Sequence, residues 1–316
     1  MIRMENASKK YGAVYGLRDV SFRIGAGETV GLLGLNGAGK STAMNLMTGY
    51  FPPTSGKILI AGEDMAAAPR QCRRRIGYLP ETPPLYGEMT PQEYLRFVCE
   101  LREVKHRSIP GHVDEILTLC GLQEVRKRTM SRLSKGYRQR CGIAQALCGS
   151  PEALIFDEPM VGLDPQQTAD IRELIRQLGK EHTVVFSSHI LSEVQLLCPR
   201  VLILSEGRLI RDYDCSAPPE GPCRLRVKIA GSGESIRNRL YHLDTDIRAE
   251  LLPTEERDTT EALLTLRGKA SEGTDRVFRL LAGASLPVRM LTEERETLED
   301  IFLRVIRTPS GLHDSE

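Results

Sequence analysis

Several things are missing from this sequence, and each absence removes a class of function. Charge imbalance is the first, since 43 Lys and Arg stand against 42 Asp and Glu, a net charge of +1. A chain so balanced has no global electrostatic reason to hold nucleic acid. Long apolar runs are also absent. None reaches the roughly 18 residues that a membrane-crossing helix needs. The longest apolar stretch, Thr183 to Leu204, is broken by His189, Glu193 and Pro199. No apolar segment follows Met1-Ile2-Arg3, so no secretory signal is expected. The eight cysteines, at 72, 99, 120, 141, 148, 198, 215 and 223, include no Cys-x-x-Cys pair. That removes the common zinc and redox motifs and suits a cytosolic chain with free thiols. Action at a membrane would have to pass through a partner. What remains is 316 residues at 41% hydrophobic, enough for one large domain or two with a real core.

The stretch that is rich in information is Gly34 to Ser41, Gly-Leu-Asn-Gly-Ala-Gly-Lys-Ser. Two glycines bracket four residues and Lys-Ser follows, the phosphate-loop pattern. Thr29 to Leu33 before it is an apolar run suited to a buried strand. Thr42 to Met47 after it is helix material, closed by Gly49. Gly34, Gly37 and Gly39 permit backbone angles and close approaches that a Cβ would block. The N–H groups of Leu35, Asn36 and Ala38 share the loop, and the helix N-terminus behind it attracts an anion. Lys40 can neutralise β- and γ-phosphates, and the Ser41 hydroxyl can ligate Mg²⁺.

Other chemistry lies along the chain in order. Ile2–Ala7 and Val20–Ile24 read as strands, and Tyr11 lies between them. Its ring can stack on a nucleotide base or serve as a packing aromatic. Arg70 to Arg75 is a short basic run, either a phosphate contact or a solvated helix face. Ile76 to Leu79 is a strand ending at Pro80-Glu81. Pro91 to Cys120 carries apolar residues at helical spacing, with a break expected at Ser108 to Gly111. Ser134 precedes a helical run to Leu147, as a cap or as part of a second anion site with Gly136. Ala153 to Phe156 is a buried strand that ends in Asp157-Glu158. Adjacent carboxylates do not suit a core, whereas parallel sheets bind ligands at such strand ends. Asp157 can hold Mg²⁺ through water, and Glu158 can polarise a water for in-line attack. Thr168 to Lys180 is an amphipathic helix. The strand Thr183 to Ser187 leads to His189, at the same sheet edge as the phosphate loop and so within reach of a γ-phosphate.

Composition changes after a hairpin around Glu206-Gly207. Asp214 to Pro222 reads as a linker, with Pro218, Pro219 and Pro222. Strands are expected at 224–229, 248–252, 262–266 and 287–291, and helices at 235–241, 275–281 and 297–307. Two such repeats suggest a small α+β domain on a split βαβ plan. It carries no chemical constellation, which leaves docking, dimerisation, regulation or structural capping as its role.

Taken together, residues 2–212 resemble the nucleotide-binding subunits of ATP-binding cassette (ABC) transporters. The specificity lies in the ordered set, since a phosphate loop alone occurs in many NTPases. The resemblance implies that Tyr11 stacks on adenine, that Gly34 to Ser41 is Walker A, and that Thr42 is a further phosphate-side hydroxyl. It implies that Leu133-Ser134-Lys135-Gly136-Tyr137 stands at the signature, with Asp157 and Glu158 as Walker B aspartate and catalytic glutamate. Gly162-Leu163-Asp164 looks like the D-loop and His189 like the switch histidine. Three residues depart from the pattern. Glu81 stands where a glutamine is usual, adding negative charge beside the phosphates. Lys135 replaces the first signature glycine and Tyr137 its glutamine. The Leu-Ser-Lys-Gly form, Gly77 to Glu81 leading to Leu85-Tyr86, and the C-terminal extension look like the exporter-type ABC-2 branch. That branch includes gliding-motility, multidrug and copper-maturation cassettes.

The expectation is therefore an α/β cassette over 1–212 with a mixed sheet and a helical subdomain at about 91–150. A linker at 213–223 and a small α+β domain over 224–316 complete it. The resemblance implies ATP and Mg²⁺ as ligands, with Ser41, Glu81 and Asp157 on the metal. It implies a second cassette chain, forming a homodimer that completes each site with Ser134 and Gly136. It also implies a polytopic permease docked at Glu81 to Met89, and a cytoplasmic place at the inner membrane face. Three rivals can be weighed. A soluble ABC ATPase of translation or repair usually has two cassettes or a coiled-coil insertion, neither present here. A nonhydrolytic ATP-gated switch fits Glu81 but not the presence of Glu158 and His189. A kinase or GTPase does not fit the Leu-Ser-Lys-Gly stretch, and the Asn-Lys-x-Asp guanine motif is missing.

Overall fold

In a computed structural model, the described residues are 1–215, 223–231, 236, 247–254, 258–266, 270–293 and 298–307. The chain divides into two compact units, Met1–Ser216 with Phe302–Glu316, and Ala217–Ile301.

The first unit begins with two long antiparallel strands, β1 (Ile2–Tyr11) and β2 (Val14–Ile24). Both outrun their expected bounds, because β1 continues through Tyr11 and turns at Gly12, whose φ is +62°. A turn so tight places Tyr11 at a strand end rather than in a connecting loop. Then come β3 (Thr29–Leu33), α1 (Lys40–Met47), β4 (Ser55–Ile60), β5 (Glu63–Asp64), α2 (Pro69–Arg74) and β6 (Ile76–Leu79). Strands β2, β1, β4 and β5 form one antiparallel sheet in that order. The basic run lies on α2 and beside it, with Arg74 paired to Glu103 and Arg75 to Glu152.

The helical segment follows as α3 (Pro91–Leu101), α4 (Ile109–Leu119) and α5 (Lys135–Leu147). Its break falls earlier than the sequence expectation, between Leu101 and Ile109. Pro110 lies inside the first turn of α4, where a missing N–H costs nothing, so proline begins this helix instead of dividing it. Next come β7 (Ala153–Phe156), α6 (Pro165–Leu178), β8 (Thr183–Ser188), α7 (Leu191–Leu197), β9 (Arg200–Ser205) and β10 (Arg208–Asp214). The second sheet runs β10-β9-β3-β8-β7-β6 and is parallel except for the β9–β10 hairpin. Its inner strands are buried on both faces, which is why Ala153–Phe156 and Thr183–Ser188 read as unbroken runs rather than alternating ones.

Helix α1 is packed between the two sheets. Ala43, Met44 and Leu46 share one core with Met4 and Ile58 of the first sheet and Leu32 of the second. The phosphate-loop helix is therefore clamped from both sides, and its N-terminus is fixed at the C-terminal edge of β3.

The second unit has β11 (Cys223–Ala230), β12 (Ile247–Leu252), β13 (Thr259–Leu266) and β14 (Val288–Glu293), with a helix at Ala270–Gly283. The order β12-β13-β11-β14, antiparallel throughout, is that of the split βαβ plan. Leu225, Val227 and Ile229 of β11 face Val277 and Leu281 of the helix across its core. The last helix, Leu298–Arg307, spans the division between the units. The helix expected at 235–241 lies outside the described residues apart from Ile236, as do the linker residues 216–222 and Thr297.

Candidate functional site

The site grows from the edge where β3, β7 and β8 end. Leu33 leads directly into the loop, and Gly34 must be a glycine for close approach, since a Cβ there would stand 2.6 Å from the Leu204 carbonyl oxygen. Gly39 is needed for its backbone. It caps α1 with φ +104°, a left-handed angle open to glycine, and brings no side chain to the helix N-terminus. The first turn of α1 is thus left without a side-chain cap, in the arrangement that suits an anion.

Lys40 is buried, with 6% of its side chain exposed. Its ammonium donates to the carbonyls of Gly34 at 2.7 Å and Leu35 at 3.2 Å, and stands 3.4 Å from Glu158 Oε1. The other oxygen of Glu158 lies 2.9 Å from His189 Nδ1. One carboxylate therefore links the phosphate-loop lysine to the histidine at the end of β8. Glu158 holds this place with φ +47°, a left-handed conformation costly for a residue with a side chain. Its N–H donates to Ser187 Oγ at 2.8 Å. That same hydroxyl donates to Asp157 Oδ1 at 2.6 Å.

A cavity of about 420 Å³ opens over these groups. Leu35, Asn36, Gly37, Gly39, Lys40, Ser41, Thr42, Glu81, Glu158 and His189 all line it, joined by Gly16 and Val161. Ten of the sequence candidates thus meet in one place. Gly34 reaches it through its carbonyl on Lys40, whereas Ala38 is buried beneath the loop. Asp157 is also buried and does not line the cavity. Tyr11 stands at the margin. Its ring packs edge-on against Phe51 with centroids 5.8 Å apart, and it borders Gly16 beside the Thr42 hydroxyl.

Ser134 and Gly136 are elsewhere, lining a second cavity with Tyr137, Arg140, Gln167 and Asp170. Ser134 caps α5 by accepting from Tyr137 N–H. Gly136 leaves room for the Gln167 side chain, 2.7 Å from where its Cβ would be. Asp164 caps α6 through the Gln167 N–H. On α5, the buried Gln139 amide donates to the Pro159 carbonyl at 2.8 Å, one residue beyond Glu158.

Behind His189, Ser188 Oγ donates to Glu193 Oε2 at 2.6 Å and accepts from Ile190 N–H at 3.0 Å. Burial pushes the Glu193 carboxyl above the usual carboxylate range. Neither Ser187, Gln139 nor Glu193 stands out in the sequence. Ser187 is signalled only by register, since Phe156 pairs with Phe186 and the next residues, Asp157 and Ser187, are side by side.

Among the described residues, no group of three His, Cys, Asp or Glu side chains is placed to hold a metal ion by itself. Magnesium takes few protein ligands and relies on phosphate and water for the rest. The Ser41 hydroxyl and the Glu81 carboxylate both line the cavity as hard-oxygen donors of the kind that ion takes, whereas Asp157 lies buried at the strand end and could serve only through water.

Comparison with known proteins agrees with this geometry. A family model described as ABC transporter matches residues 17–161. The chain is 43% identical over 202 residues to an uncharacterized ABC transporter ATP-binding protein of Nostoc sp., a match covering 62% of this chain and 59% of that protein. It is 30% identical over 311 residues to the bacitracin transport ATP-binding protein BcrA of Enterococcus faecalis, covering 97% of this chain and 96% of BcrA. A dimeric structure of a post-hydrolysis ATP-binding cassette bound to ADP and Pi is similar with a TM-score of 0.63. It is 25% identical and covers 69% of this chain and 100% of that one. No helix among the described residues is long and apolar enough to cross a membrane.

Proposed function

This chain belongs to the family of ABC transporter ATP-binding proteins, and from that premise we propose that it hydrolyses ATP between two paired cassettes to drive a separate membrane subunit. The observation that carries the reading is Glu158, held between the phosphate-loop lysine and the switch histidine. A carboxylate so placed can accept a proton from a water aimed at the γ-phosphate. His189 orients that carboxylate and offers its other ring nitrogen to the phosphate. Lys40 exchanges its carbonyl and Glu158 contacts for phosphate oxygens. Gly37, Gly39 and the N-terminus of α1 receive the β-phosphate through backbone N–H groups. Tyr11 and the adjoining margin take the adenine. Ser41 and Glu81, with Asp157 through a bridging water, would hold Mg²⁺, which would offset phosphate charge.

The separation of Ser134 and Gly136 from this cavity supports a two-chain site. A partner cassette brings its own Ser134 and α5 N-terminus to the nucleotide, and loss of the γ-phosphate removes that contact. The similar cassette described as a dimer supports this arrangement, and the likeness to a bacitracin transport subunit supports transport as the work done. The permease docks at Glu81 to Met89, where exposed Tyr86 packs against Tyr94 and Phe97 at the start of the helical segment. We place the cassette at 1–212, with its helical subdomain at about 91–150, and an accessory domain beyond a linker, the whole acting at the cytoplasmic face of a membrane.

The test is Glu158→Gln. It removes the proton acceptor and keeps the shape. Turnover should drop by at least about a hundredfold, the weight of general-base catalysis. The variant should accumulate as an ATP-bound dimer in sedimentation. A variant that stays monomeric in saturating ATP and turns over as the wild type does would end this reading.

A further inference from the structure

His189 is the least anchored member of the site. Its side chain is 38% exposed, so packing does not hold it, whereas Lys40 and Glu158 are 6% and 11% exposed. Among the described residues, its ring is bonded to Glu158 alone. That carboxylate must also serve the attacking water, so it cannot be the ring's whole support.

The backbone around His189 is held instead. The residue lies between β8 and α7. Ser188 before it donates from Oγ to Glu193 Oε2 at 2.6 Å. The same Oγ accepts the N–H of Ile190, the residue after it, at 3.0 Å. Both chain neighbours of the histidine are therefore tied to one carboxylate. Successive strand residues face opposite sides, so Ser187 serves Asp157 and Glu158 while Ser188 reaches α7. Glu193 is the third residue of α7 and is 8% exposed. An acid that only complemented the dipole of this short helix would do so from the surface, without the cost of burying a carboxylate. Arg172 of α6 favours the charge of Glu193 from a distance. Among the described residues, however, the one hydrogen bond of the Glu193 side chain is that from Ser188. What the buried acid gains is its hold on the turn that carries His189.

We propose that Glu193 is a positioning residue for hydrolysis, fixing through Ser188 Oγ the backbone of His189 so that the ring meets Glu158 on one side and the γ-phosphate on the other. Glu193 does not line the nucleotide cavity, so its action passes through the histidine. This rests on the reading of Glu158 and His189 given above.

The experiment is steady-state ATPase kinetics of the full chain beside a urea titration. The arms are wild type, Glu193→Ala, Glu193→Gln and Val194→Ala, with Glu158→Gln as the baseline. Glu193→Ala should lower kcat by about tenfold or more, the effect of a misplaced group, with KM for ATP little changed. Glu193→Gln keeps an oxygen for the Ser188 hydroxyl and should recover most of that loss. Val194→Ala removes a fully buried side chain from the same helix, so it should lower stability and leave kcat near wild type. Three outcomes would each overturn the positioning role while leaving Glu158 as the base. They are Glu193→Ala at wild-type kcat, Glu193→Gln as slow as Glu193→Ala, and Val194→Ala as slow at equal destabilisation. Wild-type turnover no faster than that of Glu158→Gln would overturn both.

Discussion

The hydroxyl of Ser187 ties down both acidic residues that follow β7, accepting from the Glu158 backbone N–H and donating to the Asp157 carboxylate at Oδ1. Ser187 is fully buried, so no water can replace it at once. Ser187→Ala should leave a buried N–H and a buried carboxylate short of a partner, at a cost of about 1–3 kcal/mol in stability. Because Glu158 sits at a left-handed angle that this bond helps to hold, kcat should fall by about tenfold while KM for ATP changes less. Steady-state kinetics beside a urea titration would show both effects. Equal kcat would mean that Glu158 is fixed by Lys40 and His189 alone. The adjacent carboxylates themselves are plain in the sequence, because Asp157-Glu158 after four apolar residues has few explanations. The bond that aims them is not, because Ser187 is 30 residues from Asp157 along the chain.

At the scale of elements, α3 carries its own start signal. Thr90 accepts from the Glu93 N–H, Glu93 returns a bond to the Thr90 N–H, and Pro91 opens the helix. Those bonds hold the Glu93 carboxyl below the usual range, the Thr90 backbone bond first. Thr90→Ala should lower stability by about 1 kcal/mol. A depressed carboxyl contributes above its unfolded value, near 4.5, and loses that contribution as pH falls through its folded value. The gap between wild type and Thr90→Ala should accordingly be full at pH 7 and shrink on acidification, as urea midpoints at several pH values would show. A gap independent of pH would mean that the Glu93 half of the box is idle. The apolar spacing of this region makes its helices legible. Their division is not, because Pro110 reads equally as a breaker and as a second helical residue, and only the packed chain chooses.

For the whole molecule, the decisive feature is that the phosphate-loop cavity and the Ser134 cavity are separate. If each chain holds half of every site, turnover per chain should rise with protein concentration before it saturates. ATPase activity strictly linear in concentration down to nanomolar protein would point instead to a site complete in one chain. The sequence by itself determined the local chemistry. Gly34 to Ser41 needs only adjacent residues to make a phosphate cradle, and β7 and β8 are apolar enough to be placed inside a parallel sheet. The repeated strands of the C-terminal part likewise announced a split βαβ sheet. Tertiary structure decided what lies next to what. Parallel pairing of β7 with β8 set Ser187 beside Asp157, and clamping of α1 between two sheets fixed where Lys40 points. These are contacts between segments distant along the chain. They depend on register and on packing of the whole core, which no local pattern encodes.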